Sequence, residues 1–211
     1  MSRIIVSVVY SALLSLCAPA GLQAAGNDPV KAFADRVAAS LVNFGYSYEM
    51  IDGDVKMTGS GSVSVQGDSY RMSGDGLEIW CDGRSVCTVD DSAKEVVIEP
   101  LWAGSGAFVN PAAAIRDIDT GFSWDDNGSR TVFNGQDVLV YELSPNGPAA
   151  DISGMKLYFS PDGHTLTGAE VQTVKVTVTF VISSLEFLKP GDGTEFAIPM
   201  FGPDYFVTDL R

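Results

Sequence analysis

The sequence predicts a mainly β protein built on one curved antiparallel sheet. Short runs in which apolar and polar residues alternate recur along the chain, separated by Gly, Asp, Asn and Pro. Such alternation is typical of strands with one dry face and one wet face. Two short segments have helical features, and about ten or eleven strands account for most of the remainder. A single sheet of that size must curl or close.

The first 25 of the 211 residues are typical of a secretory signal peptide. Arg3 gives a short positive start, residues 4–18 form an apolar run, and Ala24-Ala25 suit cleavage. We therefore expect a signal peptide over 1–25 and one mature domain over 26–211. The run is too short for a stable membrane span. Cys17 raises the alternative of a lipid-anchored cysteine, although the preceding Leu14-Ser15-Leu16 places a bulky residue where lipoprotein processing needs a small one.

The chain is strongly acidic, with a formal net charge of −14, and loss of Arg3 with the signal peptide leaves −15. This acidity argues against nucleic acid or an anionic membrane surface as a partner. A well-solvated surface explains the same charge equally well.

The mature chain begins with a predicted helix over residues 29–42. Asp28-Pro29 supplies a capping side chain and an early proline, and Phe33, Val37 and Leu41 follow at a spacing of four. The sequence FGYSYEMI at 44–51 then predicts a first strand.

A meander of five short strands is predicted between Gly61 and Glu99, near 62–66, 69–73, 77–81, 86–90 and 95–99. Cys81 and Cys87 flank a tight turn at Asp82-Gly83 within it. In an exported chain this spacing predicts a disulfide between neighbouring strands, worth roughly 2 kcal/mol, with two reduced thiols as the alternative. Two cysteines and one distant histidine are too few ligands for a metal site.

Residues 101–121 interrupt the alternation, and Asn110-Pro111 is expected to cap a short helix over 112–118. Two interpretations stay open for this apolar segment: a lid over the dry face of the sheet, or a helical connection that plugs the core. Strand signals then resume at 131–133, which leads into the turn Asn134-Gly135. Further strands are expected at 137–143, at 155–159, within the alternating run 166–180, and at 184–188. In that run Val174, Val176, Val178, Phe180 and Ile182 are predicted to share one face.

The sequence contains no convincing catalytic set. The single histidine, His164, lies in a predicted turn, and turn formation also explains the pairs Asp90-Asp91 and Asp125-Asp126. Neither a phosphate loop nor a calcium loop has its full spacing. These observations favour a binding protein that is not an enzyme and needs no cofactor or metal.

Several motifs, taken in order, resemble the outer-membrane lipoprotein carrier family, the LolA-like periplasmic chaperones. The motifs are Gly61–Val65, Tyr70–Met72, Glu78–Arg84, Asn110-Pro111, Leu143–Pro145 and Asp209–Arg211. The resemblance implies an incomplete, half-open antiparallel β-barrel of about eleven strands with helices covering the open side. It also implies a monomeric periplasmic protein that carries acylated lipoproteins from the inner to the outer membrane. The implied partners are those lipoproteins, an inner-membrane lipoprotein-releasing transporter and an outer-membrane acceptor.

The chain departs from this family at two places. Some members have a basic residue after the second strand that hydrogen-bonds the lid, whereas Gln66-Gly67-Asp68 stands here. The bridge expected between Cys81 and Cys87 would also stiffen a hairpin that the family leaves unbridged.

The resulting site prediction is a lipid-binding cavity under a lid, although ordinary core packing explains each wall residue equally well. Two alternatives are an envelope regulator that senses lipid or lipoprotein with the same half-barrel, and a secreted enzyme on a β scaffold. The predicted wall is Val63, Val65, Tyr70, Met72, Leu77, Ile79, Leu139, Tyr141, Val176 and Val178, and the predicted lid is Trp102, Phe108 and Ile115.

Overall fold

In the part of the chain that the structure describes, the protein forms a sheet of thirteen strands with a ten-residue helix packed on it. The structure, a computed structural model, describes residues 28–101, 118–147 and 152–211. Its helices are α1 Pro29–Ala38, α2 Ile118–Gly121 and a 3-10 turn, Thr194–Phe196. The strands are β1 Leu41–Asp52, β2 Val55–Gln66, β3 Ser69–Gly74, β4 Leu77–Asp82, β5 Ser85–Asp90, β6 Glu95–Pro100, β7 Phe122–Trp124, β8 Ser129–Phe133, β9 Gln136–Pro145, β10 Ile152–Phe159, β11 Leu166–Thr173, β12 Val176–Leu188 and β13 Phe206–Asp209.

The strands follow the order β13-β6-β5-β4-β3-β2-β1-β12-β11-β10-β9-β7, and β8 also pairs with β9. Neighbours are antiparallel except β13, which runs parallel to β6. Within the described ranges the end strands β7 and β13 do not pair, so the sheet is open. The predicted fold class, mainly β with an unclosed antiparallel sheet, is confirmed.

The predicted meander is observed, with one strand pairing to the next from β2 to β6. Its first three hairpins close through two-residue turns, and the β5–β6 hairpin closes through the four residues 91–94. At the β3–β4 turn both residues have positive φ, 53° at Asp75 and 83° at Gly76. That conformation matches the twist of the paired strands and suits an Asp-Gly turn.

Helix α1 is shorter than predicted, because Leu41 belongs to β1 and not to the helix. Asp28 caps the helix: its Oδ1 accepts the N–H of Val30 at 2.9 Å. Val30, Phe33 and Val37 are buried against the sheet. We call the face of the sheet that α1 covers the inner face.

The run at 166–180 holds parts of two strands, β11 and β12, and the prediction that Val174 shares a face with Val176 was wrong. The chain turns at residues 174–175, where the Thr173 hydroxyl accepts the N–H groups of Lys175 (3.2 Å) and Val176 (2.9 Å). Val174 is 91% exposed in this turn and does not share a face with Val176. The strand expected at 184–188 is the continuation of β12, past a register shift opposite Gly45.

The predicted disulfide is also corrected: Cys81 and Cys87 are both free. In the β4–β5 register Cys81 pairs with Val86 and Cys87 pairs with Trp80. Neighbouring residues of a strand point to opposite faces, so the two thiols lie on opposite sides of the sheet. Cys81 packs in the core on the inner face. Cys87 packs with Val89, Val96 and Ile98 in a second cluster, the outer-face cluster, which is covered by Ile198, Phe201 and Tyr205.

Across the described ranges, every helix is too short or too polar to cross a membrane.

Candidate functional site: an apolar cavity on the inner face

A cavity of about 180 Å³ lies between α1 and the inner face of the sheet. An engineered dry protein cavity of about 150 Å³ holds one benzene molecule, so this cavity has room for a small apolar group. Its lining is Phe33, Val37, Val42, Phe44, Tyr46, Val63, Met72, Ile118, Ile152, Met155, Leu157, Leu166, Ala169, Val171, Phe180, Ile182 and Leu185.

Strand register explains how residues so distant in sequence meet at the cavity. Cα partners on adjacent antiparallel strands point to the same face, so each register row crosses the sheet as one line of side chains. One such row joins Phe44, Val63 and Met72 on β1, β2 and β3. Another joins Phe180 on β12 to Ala169 on β11. Both rows contribute to the cavity wall.

The helix covers one side of the cavity with Phe33 and Val37. Phe33 packs edge-to-face on Phe159 and Phe187, with ring centroids 6.1 and 6.2 Å apart. The Trp124 indole N–H donates to Asp28 Oδ2 at 2.8 Å, which ties the start of α1 to β7. The helix therefore has aromatic contacts along its buried stripe and a hydrogen bond to the sheet at its first turn.

The lining is almost wholly apolar. Among the lining side chains only Tyr46 carries a hydroxyl. Burial, and next the charge of Asp75, raise the pKa of that phenol above its usual range, so the ring is neutral at physiological pH. The described residues contain no cluster of three potential metal ligands. Such a site can hold an apolar group by burial and dispersion.

The predicted wall residues fall into three groups. Val63 and Met72 line the cavity. Val65, Tyr70 and Tyr141 are buried in the same inner core, with Ile79 and Leu139 packed against it. The third group lies on the inner face away from the cavity: Val176, Val178 and Leu77. Val178 is buried, Val176 is half-buried and Leu77 is 39% exposed. Ligand contact by these residues stays a prediction, and the predicted lid residues Trp102, Phe108 and Ile115 lie outside the described residues.

Sequence reasoning missed most of the lining. Phe33 and Val37 could have been predicted to face the sheet, since they form the apolar stripe of the predicted helix. Phe180 and Ile182 had been placed correctly on the face of Val178. Met155, Leu157 and Leu166 stand in short strands, where nothing local separates the cavity wall from the packed core.

Comparisons with known proteins concern the fold. No protein-family model matches the chain, and no curated protein is similar to it in sequence. An uncharacterised conserved protein from Thermus thermophilus is similar in structure, with a TM-score of 0.51 and 11% identity over 85% of this chain and 98% of that one.

Two other similar structures are named for the family that the sequence resembles. A LolA superfamily protein from Nitrosomonas europaea has a TM-score of 0.42 and 10% identity, over 80% of this chain and 97% of that one. A domain described as outer membrane lipoprotein-sorting, from Vibrio parahaemolyticus, has a TM-score of 0.42 and 12% identity, over 81% and 96%. The sequence resemblance implied an open antiparallel sheet with a helix on it, and the structure has that architecture.

Proposed function

We propose that this protein is an exported carrier that binds the acyl chains of lipoproteins and moves them through the periplasm between the inner and outer membranes. The observation that carries the proposal is the apolar cavity between α1 and the inner face of an open sheet. Acylated lipoproteins, a membrane transporter that releases them and an outer-membrane acceptor are the partners that this role requires.

The energetics of lipid release favour a carrier with such a cavity. Transfer of a methylene group from water to an apolar site gains about 0.8 kcal/mol, so one sixteen-carbon chain in water costs on the order of 12 kcal/mol. A lipoprotein that leaves a membrane therefore needs a dry site for its chains. The described lining offers aromatic and aliphatic side chains and one neutral phenol for this purpose.

The size of the cavity adds a requirement. At about 180 Å³ it is close to the volume that holds a benzene ring, so it accepts only part of a long acyl chain. A carrier with this structure must widen its cavity when it loads. Because an open sheet lacks a closing strand pair, its wall can move at a lower cost than that of a closed barrel.

Release of lipoproteins from spheroplasts tests the proposal. The purified mature chain is added to spheroplasts of its host, and the supernatant is probed for acylated lipoproteins bound to it. Met72→Asp places a charge in the cavity wall and should abolish capture, since burial of an unpaired carboxylate is costly. Ser73→Asp is the matched control, because Ser73 neighbours Met72 in β3 and points to the outer face.

Each outcome has a defined meaning. Capture by the wild type and by Ser73→Asp, but not by Met72→Asp, is the expected result. If the wild type captures no lipoprotein, the carrier function is wrong. Binding of free acyl chains without capture of lipoproteins would favour the lipid-sensing regulator.

A further inference from the structure

One wall of the cavity consists of a ladder of aromatic rings. Tyr46 and Phe180 line the cavity, with ring centroids 5.8 Å apart. Tyr48 is the next inner-face residue of β1 and lies 6.3 Å from both Tyr46 and Phe180. Phe44 completes the ladder at 6.2 Å from Tyr46. These rings bound the cavity on the side toward the β1–β2 turn.

Beyond this wall the inner face leads to the surface. Along β2 the inner-face positions run from Val65 and Val63, both buried, through two glycines to Met57, which is 48% exposed. On β4 the inner-face positions on the same side of the sheet end at Leu77, which is also exposed. The strip past the rings therefore reaches solvent, and it is apolar except for the Asp75 carboxylate, which lies over Gly59.

The rings rest on β2 without a side chain beneath them. A Cβ atom at Gly61 would lie 2.8 Å from the Tyr46 hydroxyl oxygen, and one at Gly59 would lie 2.6 Å from Cε1 of Tyr48. Both rings thus occupy space directly over backbone. If they swing away, that space becomes continuous with the cavity.

A hydrogen bond helps to hold the outer ring, that of Tyr48, in place. The Tyr48 hydroxyl donates to Asp75 Oδ2 at 2.7 Å, across β2, from β1 to the β3–β4 turn. Asp75 lies in a tight turn with a positive φ, and this turn fixes the position of the carboxylate that accepts the hydrogen bond. Tyr48 also packs between Tyr46 and Phe180, so release of this bond loosens the whole wall.

We propose that Tyr46, Tyr48 and Phe180 determine the length of acyl chain that the cavity accepts, and that the Tyr48–Asp75 hydrogen bond holds this wall closed. The inference rests on the proposed function and specifies its ligand: a linear acyl chain whose first segment fills the cavity and whose remainder displaces the rings toward Met57 and Leu77. Short chains bind with the wall closed, whereas long chains bind only after it opens.

Titration calorimetry with octanoate, laurate and palmitate tests the inference on the full mature chain. Tyr48→Phe keeps the ring and removes the hydrogen bond, so palmitate affinity should rise about fivefold while octanoate affinity stays unchanged. Tyr46→Ala removes a ring from the wall and should favour palmitate over octanoate further, since each extra buried methylene adds about fourfold. Asp75→Asn keeps a residue type that tolerates positive φ and should shift palmitate affinity in the same direction as Tyr48→Phe, by a smaller factor.

The chain offers a matched control at another tyrosine. The Tyr205 hydroxyl donates to Asp91 on the outer-face side, away from the cavity. Tyr205→Phe removes the same type of bond and should leave the ratio of palmitate to octanoate affinity at the wild-type value.

The outcomes separate this inference from the carrier function. If all three fatty acids bind but Tyr48→Phe and Tyr46→Ala leave the affinity ratio unchanged, the wall does not set chain length and only this inference is overturned. If Tyr205→Phe shifts the ratio as much as Tyr48→Phe, the effect is not specific to the wall and the inference is likewise overturned. If no chain binds, octanoate included, the cavity is not an acyl site and both proposals fail.

Discussion

Phe33→Ala removes the largest side chain that α1 contributes to the cavity wall. The ring is buried and packs edge-to-face on Phe159 and Phe187. Truncation of a buried phenylalanine to alanine costs about 3–5 kcal/mol. We expect about 3 kcal/mol here, at the lower end, because one side of the ring already faces the cavity and has fewer contacts to lose.

Urea denaturation measures this loss. With an m value of about 2 kcal/mol per molar urea, the midpoint should fall by about 1.5 M without a change in slope. The enlarged cavity should also accept more ligand. Laurate at a hundred times its Kd should add about 2.7 kcal/mol to the stability of the wild type and of Phe33→Ala alike. The laurate concentration that gives this gain should be lower for Phe33→Ala.

Phe201→Ala provides the control, because Phe201 packs in the outer-face cluster and not around the cavity. This variant should lose stability and keep the wild-type laurate concentration dependence. A loss below about 1 kcal/mol for Phe33→Ala, or a weaker laurate effect than in the wild type, would refute the packing argument.

Three further predictions concern the helix cap and the cysteines. Asp28→Ala removes the cap of α1 and the acceptor of the Trp124 indole N–H, so thermal unfolding should show a loss of about 2 kcal/mol in the free energy of unfolding. Asp28→Asn keeps the capping oxygen and should lose less stability. Burial raises the pKa of the Cys87 thiol from its usual 9.0 to about 11, against a smaller lowering by Arg211. Because the unfolded thiol ionises first, stability should fall by up to about 2 kcal/mol as pH rises from about 9 to about 11, and Cys87→Ala should flatten this alkaline limb. Cys81 and Cys87 are both free, so a chain that starts at residue 26 should take up a thiol label at each of them when it is denatured without reductant. Reductant should leave its urea midpoint unchanged, and an unlabelled chain would contradict the β4–β5 register.

The predicted disulfide between Cys81 and Cys87 shows what a local sequence pattern can and cannot determine. The strands on both sides of the β4–β5 turn were predicted within one residue of their observed bounds. The pairing of Cys81 depends on whether the turn contains two or three residues, and a shift of one residue moves a side chain to the other face. The two-residue turn pairs Cys81 with Val86, and this pairing separates the thiols.

Two other differences have similar causes. Leu41 fits the helical spacing of Phe33 and Val37, yet it pairs with Leu188 in the sheet, because long-range strand pairing outweighs one more turn of helix. Thr173-Val174-Lys175 contains no Gly or Pro and alternates smoothly, so the β11–β12 turn lacks the usual turn residues. Its hydrogen bonds come from the Thr173 side chain.

The sequence by itself determined the class of the fold, the meander and the capped helix, because each follows from interactions between residues close along the chain. Alternation assigns a strand two faces, and Asp-Gly or Asn-Gly dipeptides close hairpins without help from the rest of the molecule. Only the tertiary structure decided which apolar residues surround empty space. The cavity lies where α1 meets rows of side chains from β1, β2, β3, β10, β11 and β12, and its wall depends on pairing between strands more than a hundred residues apart, such as Tyr46 with Ile182. No local pattern distinguishes a valine that packs against another side chain from one that faces a cavity, since both lie on the same dry face.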